Sequence, residues 1–593
     1  MKQLIIVFVA FIFAGLGCHT EVKKQAISKR EAKGNITFGG VFRVNMNENF
    51  ATLYPHHVDE IIAQQISSQV YEGLVKLSPK DLSVLPSIAY KWEIANNGQL
   101  FTFHLRKEVF FHNDACFEKG IGREVTAADF KYCFEKLCSH NEEINSGFYI
   151  FQDKVKGANE YYASTEIGKP LTEGVTGIQV LNDSTLSIEL MYPYAGFINL
   201  LTMPFAWVFP QEAVFKYGSE LRSHCVGTGP FYLKDSKHDE SLILARNENY
   251  WGSDSLGNQL PYLDIVKFTF NKEKTSEYLE FKKGNLDFVS GLPSEMRSEI
   301  IEESKASDCT FNLYVTPILS ISYYGFQTQG NLFKNKKLRQ AFNYAIDREK
   351  LVKFVLQDEA TPAIYGIVPP SFPNYSSNSI KGFTFDPQKA RNLLAEAGYP
   401  NGKGFPIDIS LLLNSGGERN IEVAEAIQKM LSDNLSISIK LNVLPFPQKL
   451  NLENNGQAQF WKSGWVADYP DPQTFLDIFY GKLVPDVTSP SPVNSGRYKS
   501  AVFDSLYEAA LKESDMQKRF KLFEKADQVA IDDAAYMPVY YDNASYLTKK
   551  NVANLHFNSL EYLDFSTVYF TKKDASIIVA KSVGNLQGKA AQD

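Results

Sequence analysis

The sequence is short of several things. Only 5 of its 593 residues are Trp and 9 are His. The histidines are scattered, and the one adjacent pair, His56 and His57, sits on neighbouring residues that rarely face one metal. A basic excess is missing: Lys plus Arg number 61 against 68 Asp plus Glu, a net charge of −7, which argues against a chain built to grip nucleic acid. Beyond the N-terminus no stretch approaches the ~18 uninterrupted apolar residues that mark a membrane-spanning helix. G-x-S-x-G, H-E-x-x-H and G-x-x-x-x-G-K-[ST] are all absent, so no hydrolase, zincin or P-loop machinery is visible. No catalytic residue, metal site or cofactor is expected.

Near misses fail on chemistry. Gly398-Tyr399-Pro400-Asn401-Gly402-Lys403 is one residue short of a phosphate loop and has no following Ser or Thr. Gly227-Thr228-Gly229-Pro230 opens like a dinucleotide fingerprint, but Pro230 removes an N–H that the pyrophosphate would need. Asp468, Asp471 and Asp477 suggest a hard-cation loop, yet the glycine and final glutamate of an EF-hand are missing.

What is present is ordinary globular composition, 44% hydrophobic and 22% charged, in a chain too long for one core. Aromatics reach 13%, with 43 Phe and 31 Tyr, which reads first as an aromatic-rich core and second as a Tyr-lined cleft. The chain opens with one positive charge at Lys2 and an apolar run from Leu4 to Leu16, short of the ~20 residues that span a bilayer. Gly15-Leu16-Gly17-Cys18 ends it. This resembles a bacterial lipoprotein signal, cut before a cysteine that is then lipidated, although Gly15 stands where such signals prefer Leu. Residues 1–17 are therefore expected to be a signal peptide, Cys18 the lipid attachment site, and 18–35 a polar tether. The alternative is plain secretion with Cys18 as a spare thiol. The other five cysteines, Cys116, Cys133, Cys138, Cys225 and Cys309, are odd in number, so a complete disulfide framework within the chain is impossible.

Helix and strand signals alternate, which means α/β. Thr126-Ala127-Ala128-Asp129 forms a capping box opening a helix through Leu137. Asp386-Pro387 and Gly398 frame a helix over 388–397. A strand from Ile407 to Leu413, a helix from Glu418 to Asn434 and an alternating strand through Ile437, Ile439, Leu441 and Val443 make a βαβ unit. Two helices follow, marked by Phe503 to Leu511 and Phe520 to Val529, then a closing strand from Met537 to Thr548. Residues 574–593 read as a frayed tail.

Eight motifs in order carry a resemblance. They begin with Val70-Tyr71-Glu72-Gly73-Leu74, Pro86 to Trp92, Phe101 to Lys107 with Phe110-Phe111-His112, and Val125 to Phe130. They continue with Gly227-Thr228-Gly229-Pro230-Phe231, Arg246 to Trp251, Leu338 to Arg348, and Leu393 to Tyr399. From about Gly39 to Phe565 the chain resembles the family 5 extracellular solute-binding proteins of ABC importers, and most of all its oligopeptide-binding members. That implies a class II periplasmic-binding-protein fold of the cluster C type, with two lobes and an inserted subdomain. By resemblance, lobe I takes 36–57, 196–318 and 536–573, the inserted subdomain 58–195, and lobe II 319–535.

The segment Gly464-Trp465-Val466-Ala467-Asp468 matches the family's Gly-Trp-x-Ala-Asp motif. There the aspartate meets the peptide's N-terminal ammonium, a role that falls here on Asp468. A carboxylate in a water-poor cleft gains ~1.5–3 kcal/mol from such a charge-assisted bond and discriminates against acylated termini. Its structural alternative is a turn residue before Tyr469-Pro470. Lys462 replaces an arginine that can meet the peptide carboxylate, keeping charge but losing the bidentate fork. Trp465 and Tyr323 match aromatic positions lining the cleft, with interlobe packing as the alternative, and Arg419 lies near a position that meets longer ligands. Two departures stand out. Val466 and Ser320 occupy places joined by a cystine in oligopeptide-binding members, and Glu453 replaces a basic carboxylate contact.

The resemblance implies a monomeric, lipid-anchored receptor in the periplasm or on the outer face of the membrane. It would engulf a peptide and dock on an ABC permease, with no reaction catalysed. The alternatives are the same fold holding a nickel chelate, haem or opine, a secreted hydrolase, or an adaptor that no longer transports.

Overall fold

A computed structural model describes residues 32–140, 147–415, 418–485 and 489–571. The signal peptide, Cys18 and the tail from 574 lie outside the described residues. Within them the chain is α/β with two lobes.

Two long strands organise the molecule. Phe311–Phe326 and Tyr536–Lys549 run antiparallel side by side from one lobe into the other. Their pairing is continuous from Phe311/Lys549 to Pro317/Asn543, shifts register, and resumes at Ile321/Tyr541. A register shift is a local bend with unpaired backbone, and here it falls between the lobes.

Below it, Phe288–Ser290 joins Tyr536–Lys549, and Val41–Met46, Ile265–Phe270, Ser241–Arg246 and Phe231–Lys237 extend the sheet. Above it, Phe460–Val466 joins Phe311–Phe326, followed by Ser410–Asn414 and Lys440–Leu444, with Ala360–Pro362 on the opposite edge. Among the described residues a separate four-stranded antiparallel sheet, ordered Ala89–Ala95, Leu100–Leu105, Thr185–Glu189 and Ile178–Asn182, stands apart from this one. In Leu100–Leu105 the buried residues alternate as Phe101, Phe103 and Leu105, the period of a strand buried on one face.

Local expectations from sequence meet the structure at their caps. Helix Ala127–Leu137 starts on the Thr126–Asp129 capping box, with the Thr126 N–H donating to Asp129 Oδ2 at 2.8 Å. Helix Pro387–Glu396 starts with Lys389 N donating to Asp386 Oδ1 at 2.9 Å. The βαβ unit is Ser410–Asn414, Glu418–Leu435 and Lys440–Leu444, and its strands are parallel. Its first strand begins later than the sequence predicts, because Ile407 and Asp408 form a turn that leaves Ile407 81% exposed. The two late helices are Ala501–Lys512 and Met516–Asp532.

Cys116, Cys133, Cys138, Cys225 and Cys309 are all free thiols, and all but Cys116 are buried. The aromatic excess goes largely into packing. Phe326, Phe333, Phe342 and Phe460 form one mutually contacting ring cluster, while Phe42 packs against Phe288, Phe565 and Phe570.

Candidate functional site: a cavity between the lobes

A cavity of about 570 Å³ lies between the lobes, within the usual range for ligand sites. One wall includes Val58, Asp59, Tyr149, Lys154 and Met203, the other Trp465, Asp468, Thr474, Asp477 and Val493. Leu560 and Tyr562 close it.

Strand Phe460–Val466 delivers the key turn. Its register sets Ser320 opposite Val466 and Ile321 opposite Trp465, so the two positions that the sequence resemblance pairs are direct neighbours. At Gly464 a Cβ would sit 3.1 Å from the Ile321 carbonyl oxygen, which favours glycine at this position. After the strand, Asp468 projects into the cavity and the chain turns into the short helix Gln473–Leu476.

Asp471 anchors that turn. Its carboxylate caps the helix by accepting from Gln473 N at 3.0 Å and takes both Arg519 guanidinium nitrogens at 2.6 and 2.9 Å. Both side chains are fully enclosed, at 0% and 1% exposure. The other lobe reaches the same turn: Asn199 Nδ2 donates to Asp471 Oδ2 at 3.3 Å, and the Tyr194 hydroxyl donates to Gln473 Oε1.

Asp468 is different. It is open to the cavity, but the walls of both lobes crowd around it and strip bulk water from its surroundings. This desolvation raises its pKa to about 6, against a smaller opposing effect from the Thr474 hydroxyl 3.5 Å away. Thr474 in turn accepts the Trp465 indole N–H at 3.2 Å. Asp477, also on the wall, is pushed to about 6 by burial, but it accepts from the Tyr507 hydroxyl and faces Lys154 across the cleft. Burial lowers the Lys154 pKa while its ammonium donates to the carbonyls of Tyr149 at 2.9 Å and Gln152 at 3.3 Å.

The structure thus brings Asp468 and Trp465 together at the cavity. It does not bring Tyr323, Lys462 or Arg419 to the cavity's lining. Tyr323 is 3% exposed and stacks on Tyr536 at 4.7 Å between ring centroids. Lys462 lies farther back along the strand, its pKa lowered by desolvation and opposed by Asp542. Arg419 pairs with Glu359 at 2.5 Å, and Arg297 pairs with the same carboxylate. Glu453 is buried and neutralised by Lys449 at 2.5 Å.

Sequence reasoning missed Thr474, Asp477, Tyr149 and Lys154. Asp477 carries a signal as one of three nearby aspartates, but along the chain it reads as part of an incomplete cation loop. Among the described residues no cluster of three or more His, Cys, Asp or Glu is arranged to hold a metal.

Residues 83–484 match the bacterial extracellular solute-binding proteins, family 5, in its middle region. The chain belongs to this family. Among its family 5 relatives, the periplasmic oligopeptide-binding protein OppA of Escherichia coli strain K12 is 28% identical over 84% of this chain and 86% of its own. Heme-binding protein A of Haemophilus influenzae is also 28% identical, over 80% of this chain and 82% of its own. The solved structure of the periplasmic binding protein DppA from Helicobacter pylori, in complex with the peptide STSA, superposes with a TM-score of 0.72. It is 25% identical, covering 91% of this chain and 99% of that one. These family 5 relatives are named as binding proteins.

Proposed function

We propose that this chain is an extracytoplasmic receptor that closes two lobes over a short peptide and delivers it to an ABC permease. One observation carries the reading: among the described residues, the Asp468 carboxylate faces an interlobe cavity with Thr474 as its only side-chain hydrogen-bond partner and no basic side chain contributing to its ionisation. A desolvated, unpaired carboxylate is costly, and an arriving ammonium would relieve that cost. The named binding of peptides by OppA and by DppA supports the same reading.

In this proposal Asp468 binds the peptide's N-terminal ammonium and Trp465 walls the first side chain. Lys462 meets the carboxylate of a peptide long enough to reach it, and Tyr323 and Arg419 support that end of the cleft. Main-chain hydrogen bonds add affinity without sequence preference. Lobe I would comprise 36–57, 196–318 and 536–573, carrying the subdomain 58–195, and lobe II 319–535. The protein would act as a monomer, tethered through lipidated Cys18 in the periplasm or at the outer face of the bacterial cell membrane, and would catalyse no reaction. A haem, opine or nickel-chelate receptor shares the fold, and one relative is named for haem. Against a metal ligand, no His or Cys lines the described cavity.

The test titrates trialanine and N-acetyl-trialanine against wild type and Asp468→Asn by calorimetry. Wild type should prefer the free amine by about 10- to 150-fold, the equivalent of a charge-assisted hydrogen bond. Asp468→Asn should erase that preference. Equal affinities in all four combinations would end the ammonium assignment.

A further inference from the structure

Thr474 links two groups that line the cavity. The indole Nε1–H of Trp465 is a donor only, and it lies 3.2 Å from Thr474 Oγ1, so the hydroxyl must accept there. That leaves the single O–H proton to be placed, and Asp468 Oδ2 stands 3.5 Å away as an acceptor. Hydroxyls on helices usually turn back on their own carbonyls. In this chain Ser164, Thr165 and Ser304 do so, donating to the carbonyls of Tyr161, Tyr162 and Ile301. Thr474, on helix Gln473–Leu476, makes no such bond, and its hydroxyl turns instead toward the cavity.

The hydroxyl also sits on the best-anchored part of the turn. Thr474 N donates to the Asp471 carbonyl at 3.2 Å, and the Asp471 side chain is held by Arg519 at 2.6 Å. Asp468, by contrast, lies on the segment between the strand and this helix and has Thr474 as its only side-chain hydrogen-bond partner among the described residues.

We propose that Thr474 is the positioning residue of the ammonium site: the Trp465 indole commits its hydroxyl proton to Asp468, which holds the carboxylate ionised and aimed at the ligand. A second lone pair on Oγ1 remains to accept one of the three ammonium protons. Trp465 therefore acts both as a wall and, through Thr474, on the charge of Asp468. This role rests on the peptide reading for its ligand, but the Thr474–Asp468 contact exists without one.

The test uses full-length protein with Thr474→Val, Thr474→Ser and Trp465→Phe. Two readouts are measured: trialanine affinity across pH, and the titration of Asp468 in ligand-free protein by carbon-13 NMR of labelled Asp side chains, assigned with Asp468→Asn. Thr474→Val should weaken trialanine about tenfold and move both the Asp468 titration and the acid limb of binding upward by about half a unit or more. Thr474→Ser should retain the wild-type behaviour. Trp465→Phe should shift the Asp468 titration in wild type and leave it unmoved in the Thr474→Val background.

An unchanged Asp468 titration in Thr474→Val, or Thr474→Ser behaving like Thr474→Val, would overturn the role. Should Thr474→Val fail to fold, an unchanged titration in Trp465→Phe would overturn it equally. If no form binds trialanine, the peptide reading fails while the ligand-free titration still decides the role of Thr474.

Discussion

Affinity for a free tripeptide should pass through a maximum near neutral pH. Burial raises the Asp468 pKa to about 6 in the empty protein. An ammonium binds the ionised carboxylate, so the bound form must hold its proton more weakly, and protonation competes with the ligand. The sign follows: affinity is full above about pH 6 and falls as pH drops through that value. With the pKa at about 6, only ~10% of Asp468 is ionised at pH 5, which predicts a roughly tenfold loss there. On the alkaline side the ligand's own α-amino group, with a pKa of ~7.7–8.0, loses its proton, and a similar loss is due near pH ~9. Burial raises the Asp477 pKa to about 6 as well, but it faces Tyr507 and Lys154, so Asp477→Asn should keep the acid limb. Calorimetry of trialanine from pH ~5 to ~9 reads the whole curve. A flat profile, an acid limb that survives in Asp468→Asn, or the same limb for N-acetyl-trialanine would refute the reasoning.

Other consequences are as direct. Arg519→Met strands the fully enclosed Asp471 carboxylate, and breaking one side of a buried pair costs about 3–5 kcal/mol. Its urea midpoint should fall well below that of wild type, and an unchanged midpoint would show that the turn does not depend on this pair. Lys462 stands back along the strand from Asp468 with its charge partly desolvated. Across a length series of peptides, Lys462→Ala should weaken a free carboxylate several-fold at the length that reaches it and leave the C-terminal amide unchanged. Equal loss for both would assign Lys462 to packing. Cys18→Ala should abolish metabolic labelling with fatty acid and move the protein from the detergent to the aqueous phase of a phase-separation assay. Continued labelling would place the lipid elsewhere.

Local chemistry was legible in the sequence wherever a few neighbouring residues decide the outcome. Thr126 with Asp129, and Asp386 with Pro387, start helices because each supplies its own cap to the backbone a few residues on. The alternation through Ile437, Ile439, Leu441 and Val443 and the preceding amphipathic helix mark a βαβ unit, although the strand itself starts only at Lys440 and Val443 faces out. Ser320 lies opposite Val466, so the two positions that the resemblance joins are strand neighbours. What the sequence could not show is which charges meet across hundreds of residues. Tyr323 lies one strand from the cleft motif, but its ring stacks on Tyr536, more than two hundred positions later. Lys154 faces Asp477 only because the two walls of the cavity close together.

The three aspartates of the turn make the same point for the site itself. Apart from the Gly-Trp-x-Ala-Asp resemblance, Asp468, Asp471 and Asp477 read along the chain as equivalent carboxylates in a loop. In three dimensions Asp471 is engaged by Arg519 and Asn199, and Asp477 by Tyr507 with Lys154 nearby. Each of those partners is remote in sequence, so no spacing rule could have removed two of the three from contention. Of these three, Asp468 faces the cavity with the Thr474 hydroxyl as its one side-chain hydrogen-bond partner among the described residues. Packing within one lobe, through Arg519 and Tyr507, engages two of the three, and the opposite wall adds Asn199 and Lys154.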